Sequence, residues 1–172
     1  MEDVVLEPLL TSRFRVLFVG LGGDEDAYDL TKNVRTVNRP KIQFTERKND
    51  KGEYECVGAK WDPLKITFYE FPEVMKPLMN QVARQMNAQE QGRPEESYFR
   101  VIVDLLRRNG DVAQRWHYED SWISELLSCE LTYSEIDPLE THMTVRFREV
   151  TPEWVDQIPN DAPELNTRAQ HS

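Results

Sequence analysis

The chain has 172 residues, 39% of them hydrophobic, which is enough for the core of one domain without disulfides or metals. Its 31 acidic and 21 basic residues leave a formal net charge of -10, which excludes a basic nucleic-acid-binding surface, since that needs clustered Lys and Arg to displace counterions from phosphates. No stretch approaches the roughly 20 apolar residues of a membrane helix and the start lacks a secretory leader pattern, so a soluble protein made in the cytoplasm, without membrane insertion, is expected.

Residues 1–12 carry a short apolar patch (Val4, Val5, Leu6, Leu9, Leu10) broken by Pro8, and are expected to form an arm that packs on the body or on a neighbour. The first strand is expected over 13–19, where Phe14, Val16 and Phe18 alternate with Arg13, Arg15 and Leu17. It runs into Gly20-Leu21-Gly22-Gly23-Asp24-Glu25-Asp26. The Lys-Ser/Thr of a P-loop is absent and three consecutive acids would repel phosphate, so a flexible turn is expected there. Residues 34–47 alternate with Ile42 and Phe44 inward, and Pro40 argues for an edge strand or a strand start. Asn49 to Gly52 carry turn chemistry, 53–60 return as a short strand, and Trp61-Asp62-Pro63 makes a corner before a further strand from Leu64 to Tyr69.

The period then changes. Val74, Leu78, Val82 and Met86 recur every four residues, which predicts a helix over about 74–87 with Pro77 in its first turn. Residues 97–150 are expected to form an antiparallel meander of four strands. Phe99, Val101, Val103 and Leu105 alternate in the first, and Asn109-Gly110 predicts a two-residue type I′ turn into the second, through Val112, Gln114 and Trp116. A link over 117–121 leads to the third, with Leu127, Cys129, Leu131 and Tyr133 on one face; Met143, Val145 and Phe147 mark the fourth. Beyond Val150 the pattern decays, and 156–172 are expected to be a flexible tail after a β domain spanning 13–155. The fold class is therefore mainly β: a small antiparallel β-barrel or sandwich with one flanking α-helix.

Catalytic patterns are sparse. His117, His142 and His171 sit at no metal-ligand spacing, no G-x-S-x-G elbow occurs, and Cys56 and Cys129 read as free thiols, at least one of them buried in a strand. No catalytic residue, cofactor or metal is expected. Trp61, Trp116, Trp122 and Trp154 are expected to be structural anchors, because base stacking would also need the missing basic groove. The acidic balance has two readings, simple solubility or a lining past which a polyanion slides without sticking.

Taken in order, the first strand and its acidic loop, Asn38-Arg39-Pro40-Lys41-Ile42, Trp61-Asp62-Pro63-Leu64-Lys65-Ile66-Thr67, the helix, Trp122, Leu131-Thr132-Tyr133-Ser134 and Val145-Arg146-Phe147-Arg148 resemble the tail tube proteins of contractile-tailed bacteriophages. The resemblance covers roughly 13–150, as pattern and order more than as identical residues. It implies six copies in a ring and stacked rings forming a tube that carries DNA from capsid to host without binding it specifically. Tail sheath and baseplate proteins are the implied partners, and the virion tail the implied location. The longer N-terminal arm and the acidic 22–26 loop depart from the family, which leaves open the main tube subunit against a baseplate or tube-terminus ring. On this reading Val74, Leu78, Val82 and Met86 are candidate subunit contacts, and Asp104, Glu130, Arg146 and Arg148 candidate lumen or interface charges. A secretion-type tube or adaptor ring and a small β-barrel enzyme or ligand carrier remain as other classes.

Overall fold

The computed structural model describes residues 8–134 and 136–155. Ten strands and one long helix follow in the order β1 (Phe14–Val19), β2 (Ala27–Asp29), β3 (Val34–Val37), β4 (Ile42–Lys48), β5 (Tyr54–Trp61), β6 (Leu64–Tyr69), α1 (Pro72–Glu90), β7 (Phe99–Leu106), β8 (Val112–Ser128), β9 (Glu140–Arg146) and β10 (Glu149–Trp154). The ladder β2-β1-β7-β8-β9-β6-β3 ends at β2 and β3, and every pairing is antiparallel. Two sheets share β8. Its first half pairs with β7 on one side and β10 on the other, and its second half pairs with β9. The architecture is a two-sheet sandwich with the helix across one end, and no closed barrel forms among the described residues.

The core lies between the sheets. Val16 and Phe18 of β1 and Val101 and Val103 of β7 meet Leu64, Ile66 and Phe68 of β6 and Met143 and Val145 of β9, with Val74 and Leu78 of α1 closing the end. Phe18 joins the layers, its ring 6.1 Å from that of Phe68 and 6.2 Å from that of Phe99. Each of these side chains contributes roughly 1.5–3 kcal/mol through burial alone.

Several expected elements differ. The single strand over 34–47 is two, because Asn38 and Pro40 turn the chain out of the sheet. The Asn38 side chain accepts from the Lys65 amide at 2.7 Å and donates to the Pro63 carbonyl at 3.1 Å, clamping both ends of the corner. The Asn109-Gly110 turn has a three-residue loop. The Arg107 amide donates to Asp111 O at 2.8 Å and the Gly110 amide to Arg107 O at 3.0 Å, with Gly110 at φ 92. Positive φ is therefore needed at Gly110 alone, where a type I′ turn would need it at two positions. The expected break at 117–121 is a bend within one 17-residue strand, with Asp120 at φ 49.

The third run stops at Ser128, because its partner β9 begins at Glu140 and the last pair is Ser128 with Thr141; Leu131 and Tyr133 are consequently exposed outside any strand. After Val150 the chain continues as β10 along an edge of β8, where Pro152 can sit because its missing N–H faces no further strand.

The helix is longer than expected, 19 residues, and begins at Phe71, whose carbonyl accepts the amides of Val74 and Met75 at 2.9 Å. Pro77 is consequently inside the helix and not in its first turn. The helix ends where Gly92, at φ 71, lets the Arg93 amide reach back to Ala88 O at 2.9 Å. The acidic loop is likewise docked, not free. Gln81 Oε1 accepts the Gly22 amide at 2.8 Å while its Nε2 donates to Ser97 O at 2.7 Å, and Arg84 donates to Gly20 O. Only glycine fits at 22, since φ is 68 and a Cβ would lie 3.3 Å from that of Asn80. Residues 1–7 of the arm and the tail 156–172 lie outside the described residues.

Candidate assembly surfaces

The β4–β5 hairpin leaves the sandwich at Lys41 and returns at Asp62, whose amide donates to Lys41 O at 2.9 Å. Among the described residues its strands pair only with each other, and from Gln43 to Lys60 nearly every residue is exposed. Cross-strand pairing puts Ile42 with Trp61, Phe44 with Ala59, Glu46 with Cys56 and Lys48 with Tyr54. Opposed residues share a face, so Phe44, Ala59, Cys56 and Tyr54 lie together in the open with Glu46 and Lys48 beside them, Phe44 61% and Tyr54 74% exposed and Lys48 over the Tyr54 ring. A lone two-stranded hairpin is marginal in water, and one that also exposes aromatics is unfinished until something covers it. Trp61 anchors its base, edge-on to Trp116 with ring centroids 6.3 Å apart.

A second surface runs along α1. Val74 and Leu78 are fully buried in the core of their own protomer, which corrects their assignment as subunit contacts. A four-residue period places them on the inward stripe. The outward stripe is displaced by about a quarter turn and carries Phe71, Met79 and Met86 exposed with Met75 and Val82 half-buried. Of the four expected contacts, Val82 and Met86 remain at the surface. The signal for the other stripe was present at Met75 and Met79, but period alone gives two apolar stripes without saying which faces inward.

The outer faces of the two sheets differ electrostatically. On the β1-β7-β8-β10 sheet the register lines up Arg15, Asp104, Arg115 and Glu153 across four strands in alternating sign. Asp104 is fully buried. Arg115 donates to it at 2.6 and 3.0 Å and Arg15 at 3.1 and 2.8 Å. Its assignment as a lumen charge is thereby corrected, since two guanidiniums enclose it. These hydrogen bonds to Asp104 hold the Arg115 guanidinium above its ordinary pKa, against the opposing effect of burial. His117 Nε2 and Glu153 are 2.8 Å apart on the same face, and Arg100 pairs with Glu119 at 3.4 Å. On the β9-β6-β3 sheet the outer residues Lys65, His142 and Arg146 are exposed. Glu130 and Arg148 are exposed as well, and Arg148 lies over the Tyr98 ring at 5.1 Å.

Trp122 stacks on Tyr98 with centroids 5.4 Å apart. Trp154 is 72% exposed at the end of β10, so it anchors nothing within the described chain. Cys56 is exposed on the hairpin and Cys129 half-buried past the end of β8, so neither free thiol is buried in a strand as expected. At the acidic loop the Tyr28 hydroxyl donates to Asp24 at 2.8 Å, lowering the Asp24 pKa and raising that of Tyr28. Among the described residues no group of three His, Cys, Asp or Glu side chains converges as a metal site, and no helix is long and apolar enough to cross a membrane.

The fold superposes on chains of solved contractile apparatus. A chain of the anti-feeding prophage baseplate, solved with 6-fold symmetrisation, matches with a TM-score of 0.63 at 13% identity, over 89% of this chain and 100% of that one. This is a tail-tube fold. The anti-feeding prophage cap, which terminates a tube, shares it with a TM-score of 0.61 at 16% identity, over 90% of this chain and 97% of that one. So does a chain of the PVC extracellular contractile injection system in its extended sheath–tube complex, with a TM-score of 0.59 at 15% identity, over 88% and 95%. No protein-family model and no curated protein sequence matches the chain. At these identities the tail-tube fold is shared as a backbone arrangement, and the residues that would make contacts must be argued from this chain itself.

Proposed function

We propose that this chain is a structural ring subunit of a contractile tail or contractile injection apparatus, in which six copies close into a ring and stacked rings form a conduit. The observation that carries this is the β4–β5 hairpin, a projecting arm that the described residues leave uncovered and that presents Phe44, Tyr54 and Val57 outward. A neighbouring copy is the natural cover, because a head-to-tail contact that closes makes a ring and one that does not close makes a filament. The outward stripe of α1, with Val82, Met86 and Met79, supplies a lateral contact, and the exposed Asp24, Glu25 and Asp26 and the Asn49 to Gly52 tip supply contacts between rings. The net charge of -10 suits a channel for DNA, since an acidic wall does not retain phosphates; Glu130, Arg146 and Arg148 are the surface charges proposed for lumen or interface.

In this proposal the subunit works in a phage tail, assembled in the host cytoplasm, with sheath and baseplate proteins around it. The likeness to a baseplate chain and to a tube-terminating cap favours a second reading, a ring at one end of the tube. Negative-stain microscopy of the purified chain tests both. Long tubes support the main subunit, isolated six-membered rings the terminal ring, and single particles at high concentration overturn the proposal.

A further inference from the structure

We propose that the loop between β8 and β9 is an acidic, apolar plug that inserts into an arginine-rimmed groove at the opposite end of a second copy of this chain. The inference rests on the self-assembly reading above and adds to it a specific pair of surfaces. The described residues between Ser128 and Glu140 form no strand, yet Leu131 is 78% exposed, and Tyr133 and Ile136 are fully exposed. A soluble loop normally carries such side chains singly, and three large ones in six residues mark a surface meant to be covered. Glu130, Glu135 and Asp137 add three negative charges, and no Lys or Arg falls between Ser128 and Glu140. The base of the loop is held in place. The Cys129 amide donates to Glu140 O at 3.2 Å, the Glu70 amide donates to Leu139 O at 2.9 Å, and Arg35 pairs with Glu140.

The complementary surface is an apolar groove lined by Leu9, Leu10, Phe14, Val37, Leu105 and Trp116. Arg39 stands on its wall, and Arg107 and Arg108 flank Leu9 and Leu10 where the groove continues past the β7–β8 turn. Arg13 reaches the same corner, donating to Arg108 O at 2.9 Å. The plug therefore offers apolar side chains among acids, and the groove an apolar floor among arginines.

The two surfaces lie apart within one copy, and the groove's lining contains no residue of the loop. The loop leaves the sandwich where Tyr69 pairs with Glu140 at the end of β6, whereas the groove wall follows Asn38, which is bonded to Lys65 at the start of β6. The four residue steps from Lys65 to Tyr69, at roughly 3.3 Å each, put about 13 Å of packed sheet between the two. A plug at one end and a groove at the other make a heterologous contact, which propagates from copy to copy as stacking does. Opposite charge at the rim fixes which end meets which.

The test uses the full-length chain carrying the photo-crosslinker p-benzoylphenylalanine at Tyr133. The expected product joins position 133 of one copy to a peptide containing Leu105, Trp116 or Leu9 of another. Charge reversal supplies the second readout. Asp137→Arg with Glu130→Arg, or Arg39→Glu alone, should raise the concentration needed for stacking by about tenfold or more, and combining the two sides should recover part of the loss. All of these positions are exposed, so unchanged thermal melts confirm that each variant folds. A wild-type chain that remains monomeric overturns the self-assembly reading and this inference with it. Rings or tubes that form without a crosslink in the groove, or that tolerate the reversals unchanged, overturn the plug alone and leave the ring subunit standing.

Discussion

The β4–β5 and β7–β8 hairpins share a turn but have opposite fates. In each, three loop residues end in a glycine at positive φ, Gly52 at 80 and Gly110 at 92, whose amide bonds back across the turn to Asn49 O or Arg107 O. An asparagine side chain supports both, Asn49 accepting from the Lys51 and Glu53 amides and Asn109 from that of Asp111. Yet β7 is buried on both faces while β4 and β5 are exposed on both. The turn chemistry dictates that a hairpin forms; neighbours decide whether it becomes wall or arm. For β7 one face meets the core and the other is covered by Arg15 and Arg115 folding over Asp104. Among the described residues no second layer reaches β4 and β5, because the Asn38 clamp swings them clear of the sandwich.

The largest predicted effect falls on the wall. Asp104→Ala leaves two guanidiniums without their carboxylate and should cost about 3–5 kcal/mol in denaturant unfolding, because breaking a buried pair strands the remaining charge. A loss well under 1 kcal/mol would show that water reaches the Arg15–Asp104–Arg115 cluster and that the second face of β7 is effectively open.

A smaller effect is expected at Tyr118, whose buried hydroxyl has no hydrogen-bond partner among the described residues. Removing an unsatisfied polar group relieves its desolvation penalty, so Tyr118→Phe should gain about 1 kcal/mol at neutral pH. Burial raises the Tyr118 pKa well above its ordinary value of 10.0. The native state therefore keeps a proton that the unfolded chain releases, and stability should be level below pH 10 and fall as the pH rises beyond it. Tyr118→Phe should remove that part of the alkaline loss; an identical pH profile in the variant would refute the assignment.

The smallest effect on folding is expected on the arm. Phe44→Ser with Tyr54→Ser should change protomer stability by no more than about 0.5 kcal/mol per site, as for exposed residues generally. The same pair should abolish ring or tube formation by sedimentation and microscopy. Loss of protomer stability without loss of assembly would reverse the distinction between wall and arm.

Much of the fold was legible because period two and period four are strong signals over β1, β6, β7, β9 and α1. Strand ends were harder to place. Leu127, Cys129, Leu131 and Tyr133 continue an alternating pattern past Ser128, but a strand lasts only as long as its partner, and β9 starts at Glu140. β10 was hidden by Pro152, which disfavours central strands and is admitted here only because β10 lies at an edge. The candidate surfaces were half legible. The four-residue spacing of Val74, Leu78, Val82 and Met86 marked the helix correctly but mixed residues from two stripes. Asp104 looked like a surface charge because sequence could not show that Arg15, 89 positions away, would lie across from it.

By itself the sequence determined a mainly antiparallel β chain with one helix, its glycine turns, its acidic excess and the absence of a recognisable catalytic motif, since all of these depend on residues near one another in the chain. Only the tertiary structure decided which apolar residues are core and which are left exposed. That distinction is made by what covers each side chain: Phe18 and Phe44 are the same residue in the same kind of strand, one at 0% and the other at 61% exposure. Their difference comes from long-range pairing, which brings a second sheet over the first and none of the other described residues over the second.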